Sequence, residues 1–259
     1  MRISVVVLTK NEEKNIEECV KSLKWCDEII VIDDFSKDRT VDIAHKLGAK
    51  VYQRKLAEDF ASQRNFGLDK ANGEWALFID ADERVNKWLR KDINNFLNNQ
   101  TPFNSKDIKG FYIRREDVMW NRILEHGESG SSKFVRLGRK GSGKWKRRVH
   151  EVWDIKGKIH PHPLDPIEHY PHPTLREFIS DIEKYSTLHA EENYKEGKRS
   201  NLFKIIWYPK LKFFQNYFLK FGFLDGPQGF IVAMVMSFHS YLAWSKLWTI
   251  QRVIASERK

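Results

Sequence analysis

The sequence predicts an α/β protein built around a parallel sheet, and three features of its first hundred residues support this fold class. Short apolar runs are typical of strands buried on both faces, and three are present: 4–8, 28–32 and 74–79. A further strand is expected at 50–53. Segments with apolar residues at helical spacing lie between these runs. Glycines end two of the segments. This alternation predicts a parallel sheet with helices on both faces.

Each segment between the strands carries its own helix signals. Asn11 is the predicted cap of the first helix, and Ser36 or Asp38 starts the second. A third helix is expected over 58–71 and a fourth over 86–97. In such sheets, ligands bind beyond the carboxyl ends of the strands, which is where the polar residues of this region lie.

The pattern changes after the fourth helix. Three further strands, separated by glycine-rich turns, are expected in a mixed sheet edge: 110–114, 133–137 and 149–155. His160–Pro173 is a connector interrupted by prolines, and its four histidines have no cysteine beside them, which disfavours a zinc site. Thr174–Glu177 is a capping box that opens a helix with Phe178, Ile182, Tyr185 and Leu188 on one face. The aromatic-rich remainder is expected to be helical.

Composition narrows the class of protein. The chain has 259 residues, which suits one large domain or a domain with an extension. Its 41% hydrophobic content supports a real core, and its two cysteines cannot define a disulfide framework. The first five residues run straight into a strand without a signal-peptide pattern, so a cytoplasmic protein is expected.

The net charge of +10 is concentrated in one aromatic segment. Between 195 and 224, a single acidic residue, Glu196, faces seven basic ones: Lys195, Lys198, Arg199, Lys204, Lys210, Lys212 and Lys220. Basic residues mixed with many aromatic ones favour a membrane interface over a solvated face or nucleic acid. Gly229–Trp244 is uncharged but short for a bilayer-spanning helix, so an interfacial helix or a buried dimer surface is expected, with packing on the domain as the alternative.

The fourth predicted strand ends in clustered carboxylates, in the sequence Phe78–Arg84. In an extended chain, residues two apart point to the same side, so Asp80 and Asp82 can present oxygens to one hard cation. Mg²⁺ or Mn²⁺ favours such ligands and completes its shell with substrate phosphates and water. The alternative is that the two acids cap the following helix.

Four segments in order resemble the family 2 glycosyltransferases of the GT-A fold: Val5–Glu12, Ile30–Thr40, Ala61–Gly67 and Phe78–Glu83. One departure is Phe35, where that family usually has glycine. Later segments are similar to bacterial glycosyltransferases of the lipopolysaccharide inner core (heptosyl β-1,4-glucosyltransferase-like): Trp145, Arg148–Glu151, His169–Tyr170 and Gly222–Gly226. The resemblance runs over nearly the whole chain.

The resemblance implies roles for matched residues on the donor side. Thr9 and Glu12 would lie by the nucleoside, and Asp33 or Asp34 would accept a hydrogen bond from the base, although turn formation is the alternative for the aspartates. Arg64 would contact the diphosphate, or else form a surface salt bridge. The cation would be held on the diphosphate by the two aspartates of the fourth strand, with Asp82 the more direct ligand and Asp80 beside it.

The acceptor side needs a base for the attacking hydroxyl. Glu151, after the cationic run Lys146–Arg148, is the predicted base, with Asp117 as the second choice and a structural ion pair as the alternative. Trp120, Asn121, Arg122, His126, Trp145 and His150 are the predicted acceptor residues, because aromatic rings stack on sugars and arginines bind phosphorylated ones. Packing is the alternative for the tryptophans.

These observations predict two regions, a GT-A glycosyltransferase domain over 1–170 and a helical, membrane-associating extension over 171–259. The first hundred residues form a Rossmann-like nucleotide-sugar-binding sheet and 101–170 the acceptor half. The expected reaction is inverting transfer of a hexose, with glucose favoured, from a UDP-sugar to a lipopolysaccharide-core or other lipid-linked glycan at the inner face of the cytoplasmic membrane. The alternatives are a sugar nucleotidyltransferase, which the missing glycine-rich phosphate loop disfavours, and a non-enzymatic basic membrane-binding protein.

Overall fold

The computed structural model describes residues 2–98, 107–128, 133–148 and 151–257. The chain divides into two compact units. The first unit comprises 1–115 and 132–169, and the second comprises 116–131 and 170–259. The second unit thus includes a short segment from the middle of the chain, and the predicted division at residue 170 stays a prediction.

The first unit is built on four parallel strands: β1 (Ile3–Thr9), β2 (Glu28–Asp33), β3 (Lys50–Gln53) and β4 (Trp75–Asp80). They lie in the order β3-β2-β1-β4, with all three neighbouring pairs parallel. The apolar runs form strands here because both of their faces are covered: along β1, Val5 and Val7 pack into one core cluster and Val6 into the other. The predicted parallel α/β sheet is confirmed.

Four helices join or follow these strands: α1 (Ile16–Ser22), α2 (Thr40–Lys46), α3 (Phe60–Lys70) and α4 (Lys87–Leu97). Asp59 caps α3 and Asn86 caps α4 through their side-chain oxygens. The prediction that Asn11 caps α1 is wrong, because α1 begins five residues later. Asn11 instead has a left-handed backbone, with φ at 55°, and its Oδ1 accepts from the backbone N–H of Lys37.

The sheet continues with strands from later in the chain: β5 (Glu83–Arg84), β6 (Ile108–Met119), β7 (Arg122–Leu124), β8 (Lys133–Arg139), β9 (Gly143–Lys146), β10 (Val152–Ile155) and β11 (Lys158–His169). Its order is β3-β2-β1-β4-β8-β6-β11-β5, with β8 antiparallel to β4, and β9 and β10 form a separate ribbon. The expected mixed sheet edge is therefore present for the first two predicted strands, 110–114 and 133–137. The third, 149–155, was expected in the same sheet but forms part of the separate ribbon as β10.

The prediction of a connector over His160–Pro173 is wrong for most of its length, because β11 runs to His169. Proline fixes φ near a value that an extended strand tolerates and removes only the N–H donor, so prolines at 161, 163 and 166 do not prevent a strand. The pairing of β11 with β5 uses Glu168 and His169, beyond the last of these prolines.

The described residues of the second unit form three α-helices: α5 (Leu175–Lys195), α6 (Leu202–Phe214) and α7 (Gly226–Glu257). Thr174 caps α5 as predicted, since its hydroxyl accepts from the N–H of Glu177. Phe178 and Ile182 are buried, but Tyr185 and Leu188, which were expected on the same face, are about half exposed. Between α6 and α7 lie a π-helical segment, Gln215–Leu219, and a 3₁₀ turn, Gly222–Asp225.

The last helix is longer than the uncharged stretch Gly229–Trp244 suggested, because it continues through charged residues towards the chain end. Within the described part of the chain, one helical segment, Gly222–Ile254, which comprises the 3₁₀ turn and most of α7, is long and apolar enough to cross a bilayer by length and composition. Its 33 residues correct the prediction that this region is too short to span. In its most apolar stretch, 22% of residues are buried.

Candidate active site

The carboxyl ends of β1, β2 and β4 meet at one edge of the sheet. In the strand register Thr9 lies opposite Asp33 and Leu8 lies opposite Asp80, so the polar residues that end these three strands are neighbours. A cluster of charged residues belonging to the first unit has formed at this edge, and α3, β8 and the segment before β10 each contribute to it.

Arg64 of α3 lies at the centre of this cluster. Its side chain is 3% exposed, its Nε donates to Oε1 of Glu151 at 2.8 Å, and its Nη2 donates to Oδ1 of Asp80 at 2.9 Å. The guanidinium also lies 4.9 Å from the ring centroid of Trp145. Arg64 therefore joins the predicted base to the strand-end aspartate, and the salt bridge offered as its alternative role is buried, not on the surface.

Arg136 on β8 is a second arginine in the cluster, which the sequence interpretation missed. Its Nη2 lies 3.0 Å from Oδ2 of Asp80 and 3.4 Å from Oε1 of Glu83. Both arginines have a buried Nη1 without a hydrogen-bond partner among the described residues. The sequence signal for Arg136 was a charged residue between two apolar ones, Val135 and Leu137, in a predicted strand.

The two guanidinium groups set the charge of the carboxylates beside them. Burial alone would raise the pKa of Asp80, but Arg136 and Arg64 hold this pKa well below its usual range, so Asp80 is ionised at neutral pH. Glu83, with 1% of its side chain exposed, accepts from the N–H of Asp80 at 2.8 Å. Burial raises the pKa of Glu83, and the negative charge of Asp80 adds to this shift.

Glu151 directly precedes β10 and has 16% of its side chain exposed. One carboxylate oxygen accepts from Arg64, and the remaining lone pairs of the group can accept from a hydroxyl that reaches the cluster. Glu151 is thus at the strand-end edge, in contact with the residue that also holds Asp80. Asp117, the second choice for the base, lies on β6 in the other unit.

Asp82 does not continue the strand that Asp80 ends. Ala81 and Asp82 form a turn, so the extended geometry that was expected to align the two carboxylates is absent. Asp82 instead lies 3.2 Å from Nε2 of His169, the last residue of β11, with 29% of the Asp82 side chain exposed. Asp80 has both oxygens bonded to arginines. The roles predicted for these aspartates at a metal stay predictions.

The donor set at Asp82 and His169 fits a divalent cation. Two ligands at right angles and about 2.1 Å from an octahedral cation lie roughly 3 Å apart, close to the observed separation of oxygen and nitrogen. Within the described ranges, three or more His, Cys, Asp or Glu side chains nowhere converge as a metal site. Two protein ligands suffice for Mg²⁺ or Mn²⁺ when a substrate diphosphate and water complete the shell.

Glu12 lies close enough to this site for its charge to matter. Burial raises the pKa of the Glu12 carboxyl, and the nearby charges of Asp82 and Asp38 raise it further, whereas a hydrogen bond from Asn15 opposes the shift. A cation or a cationic group placed near Asp82 would favour the ionised form of Glu12. Its predicted place by the nucleoside stays a prediction.

The two aspartates that end β2 are held by other protein groups. Asp33 is fully buried and accepts from the N–H and hydroxyl of Ser36 and from the amide of Gln53. Asp34 accepts from Lys10 at 2.5 Å and from the N–H of Leu56 at 2.9 Å. Burial would raise the pKa of Asp34, but these bonds lower it below its usual range. Turn formation, the alternative role predicted for this pair, is observed. The contact of these aspartates with a nucleobase stays a prediction.

The predicted acceptor residues are divided between the two units. Trp145 is 5% exposed and packs edge-on against Phe78 at 4.9 Å and in a stack with Trp153 at 5.4 Å, which leaves it a supporting surface for Arg64. Trp120 and Arg122 belong to the second unit, where Trp120 and Asn121 form the left-handed turn between β6 and β7. His150 lies outside the described residues, and the acceptor contacts stay predictions.

The first part of the chain is similar to a known protein family. Residues 4–103 match the family model described as Glycosyl transferase family 2. The protein is therefore a glycosyltransferase, and the alternatives of a nucleotidyltransferase and a non-enzymatic adaptor are set aside.

Full-length relatives agree with this assignment. The lipopolysaccharide core biosynthesis glycosyltransferase LpsC of Rhizobium meliloti (strain 1021) is 28% identical over 95% of this chain and 92% of its own length. An uncharacterized glycosyltransferase of Rickettsia typhi is 29% identical over 99% of this chain and 91% of its own. The predicted likeness to enzymes of lipopolysaccharide core synthesis is confirmed.

One solved structure that aligns over most of the chain is residues 1–349 of Staphylococcus aureus TarS in complex with UDP-GlcNAc. It is 17% identical, covers 99% of this chain and 92% of that one, and gives a TM-score of 0.46. A likeness of this degree does not identify a shared ligand or site.

Proposed function

We propose that the protein transfers a hexose, with glucose favoured, from a UDP-sugar to a glycan of the lipopolysaccharide core or to another lipid-linked glycan, with inversion at the anomeric carbon. The observation that carries this proposal is the chain of contacts from Glu151 through Arg64 to Asp80, at the strand-end edge of a family 2 glycosyltransferase domain. The proposed base, Glu151, and the strand-end Asp80 both accept hydrogen bonds from Arg64. The acceptor hydroxyl and the donor sugar of one reaction can therefore bind next to each other at this edge.

In this reaction Glu151 accepts the proton of the attacking acceptor hydroxyl. Arg64 fixes the carboxylate by a 2.8 Å hydrogen bond, which directs its free lone pairs. A single displacement needs no second carboxylate to form a covalent sugar intermediate. Arg64 and Arg136 each have a buried Nη1 with no hydrogen-bond partner among the described residues, and these groups are donors suited to an anionic diphosphate.

The leaving nucleoside diphosphate carries charge that must be neutralised. We infer that Asp82, with His169, holds Mg²⁺ or Mn²⁺, and that Asp80 supports the site from its place between the two arginines. Bound there, the cation supplies Lewis-acid neutralisation of the diphosphate. Thr9, Glu12, Asp33 and Asp34, at the ends of β1 and β2, are the residues proposed to face the nucleoside.

The acceptor is proposed to be membrane-bound, with the enzyme cytoplasmic and peripheral on the inner face of the membrane. The name of LpsC supports a lipopolysaccharide-core acceptor. The second unit supports membrane docking, since α6 exposes Phe203, Trp207 and Leu211 by 61%, 47% and 60%. Lysines accompany these apolar groups, as where Lys210 lies 4.7 Å from the ring centroid of Trp207. Apolar residues between cations suit an anionic bilayer surface.

The test is a donor panel. Purified full-length protein is incubated with Mn²⁺ and UDP-glucose, UDP-galactose or UDP-GlcNAc, with and without lipopolysaccharide-core acceptor, and UDP release is measured. We expect acceptor-dependent UDP release, highest with a hexose donor. Release of pyrophosphate from sugar phosphate and nucleoside triphosphate, with no UDP release from any donor, would overturn the proposal.

A further inference from the structure

Phe35 has an unusual conformation for a bulky residue. It follows β2, its φ is 51°, and 54% of its surface is exposed. The left-handed region is unfavourable for a residue with a side chain, whereas glycine adopts it without this cost. The turn thus carries an exposed aromatic ring at a position that backbone geometry alone would give to glycine.

The turn around Phe35 is held firmly on both sides. The carboxylate of Asp33 accepts from the N–H and hydroxyl of Ser36, and the hydroxyl of Ser36 accepts from the N–H of Asn11 at 2.8 Å. Asn11 in turn accepts from the N–H of Lys37 at 2.8 Å. The loops that follow β1 and β2 are therefore hydrogen-bonded to each other. These bonds fix the backbone of the turn that carries Phe35.

Thr9 indicates that a polar ligand binds near the Phe35 turn. Thr9 ends β1 opposite Asp33 in the register and is 7% exposed. Its hydroxyl is buried and has no hydrogen-bond partner among the residues that the structure describes. A buried hydroxyl without a partner costs free energy unless a bound group supplies one. This hydroxyl and the Phe35 turn belong to the same sheet edge.

We propose that Phe35 stacks on the nucleobase of the donor and closes one side of the base site. The loops after β1 and β2, residues 10–15 and 34–39, contain no other aromatic residue, so Phe35 is the ring that these loops can offer to a flat base. Stacking is tolerant of base identity, because every base has a π face. Phe35 would contribute to the affinity for the nucleotide, while hydrogen bonds from polar groups at the edge of the sheet would determine which base is bound. The inference rests on the proposed use of a nucleotide sugar.

The test measures binding of UDP, CDP and inorganic pyrophosphate to the full-length protein by calorimetry. Phe35→Leu keeps apolar bulk without a flat ring, Phe35→Tyr keeps the ring, and Trp88→Leu, which changes an aromatic residue 54% exposed on α4, is the matched control. We expect Phe35→Leu to weaken UDP and CDP about ten-fold and to leave pyrophosphate unchanged. Phe35→Tyr and Trp88→Leu should bind all three ligands as the wild type does.

A further variant, Phe35→Gly, separates binding from folding. It should weaken UDP as Phe35→Leu does, while its melting temperature stays equal to that of the wild type or rises, because glycine relieves the left-handed strain. UDP binding by Phe35→Leu equal to that of the wild type, or an equal loss for pyrophosphate, would overturn the inference while leaving nucleotide binding intact. A wild type that binds pyrophosphate but neither UDP nor CDP would overturn the proposed donor and this inference together.

Discussion

Arg64 donates from Nε to Oε1 of Glu151 across 2.8 Å, although the two residues are 87 positions apart in the chain. The same guanidinium reaches Asp80 through Nη2. A helix of the donor half thereby orients a carboxylate that enters from the later part of the chain. Neither residue alone defines a reaction, but their contact brings the carboxylate proposed as the base to the strand end where Asp80 lies.

Replacing Glu151 by glutamine tests its role as the base. The amide keeps the size of the side chain but cannot take a proton, so turnover should fall by about 10²- to 10⁴-fold, with UDP affinity unchanged. Initial rates and calorimetry measure the two quantities. Asp154→Asn is the control, because Asp154 is a carboxylate of β10 paired with Lys146 and Lys156. If Glu151→Gln transfers sugar at a near-normal rate, the base is another residue, and Asp117 is the next to test.

Replacing Arg136 tests the charge balance of the cluster. Arg136→Gln removes one of the two arginines bonded to Asp80 and the arginine paired with Glu83. Removing one partner of a buried ion pair typically costs about 3–5 kcal/mol of unfolding free energy. Urea denaturation measures the loss. Arg139→Gln on the same strand should cost under about 1 kcal/mol, because Arg139 is partly exposed and 3.7 Å from Glu74. Equal stability of both variants would mean that Arg136 does not stabilise the cluster.

Glu28 predicts a pH dependence of stability. Burial raises the pKa of this carboxyl, but Lys50, Ser4 and Asn72 together lower it to about 2 from 4.5. Since the folded-state pKa lies below the unfolded one, the stabilisation is complete above pH 4.5 and is lost as the pH falls towards 2. Glu28→Gln should therefore cost about 1–3 kcal/mol at pH 7 and almost nothing at pH 2. A difference between variant and wild type that does not change with pH would contradict this assignment.

The apolar face of α6 predicts binding to anionic vesicles. Phe203, Trp207 and Leu211 recur every four residues and share one helix face. Changing all three to serine should weaken binding to phosphatidylglycerol vesicles about ten-fold or more, because the apolar area that enters the bilayer surface is lost. Trp88→Ser in the first unit is the control. If the triple variant co-sediments with the vesicles as the wild type does, while circular dichroism shows its helical content intact, this helix face does not bind the membrane.

Part of the fold follows directly from local patterns in the chain. A strand buried on both faces must be apolar throughout, so β1, β2 and β4 could be read from short apolar runs. Strand ends that meet at one sheet edge then bring Thr9, Asp33 and Asp80 together. The proximity of these residues can be predicted without knowing which distant segments pair, because it follows from the β–α alternation.

The rest of the site depends on pairing between distant segments, which local patterns do not encode. His169 reaches Asp82 only because β11 pairs with β5, and the prolines of β11 suggested a connector instead. Arg136 enters the cluster only because β8 lies beside β4. Asn11 looked like a helix cap, but its side chain bonds to Lys37 in another loop. The hydrogen-bond partner of a polar residue can be predicted from sequence when both residues lie in the same turn. It cannot be predicted when the two residues become neighbours only through the pairing of distant strands.

The central claim is that the donor and a divalent cation bind together at Asp82, at the edge where β4 ends. Calorimetric titration of UDP into wild-type protein and into Asp82→Ala, each with Mn²⁺ and with chelator, tests it most directly. We predict that Mn²⁺ tightens UDP binding to the wild type at least about ten-fold and that Asp82→Ala loses this enhancement while its circular dichroism spectrum is unchanged. An equal enhancement by Mn²⁺ in the two proteins, or none in the wild type, would contradict the account.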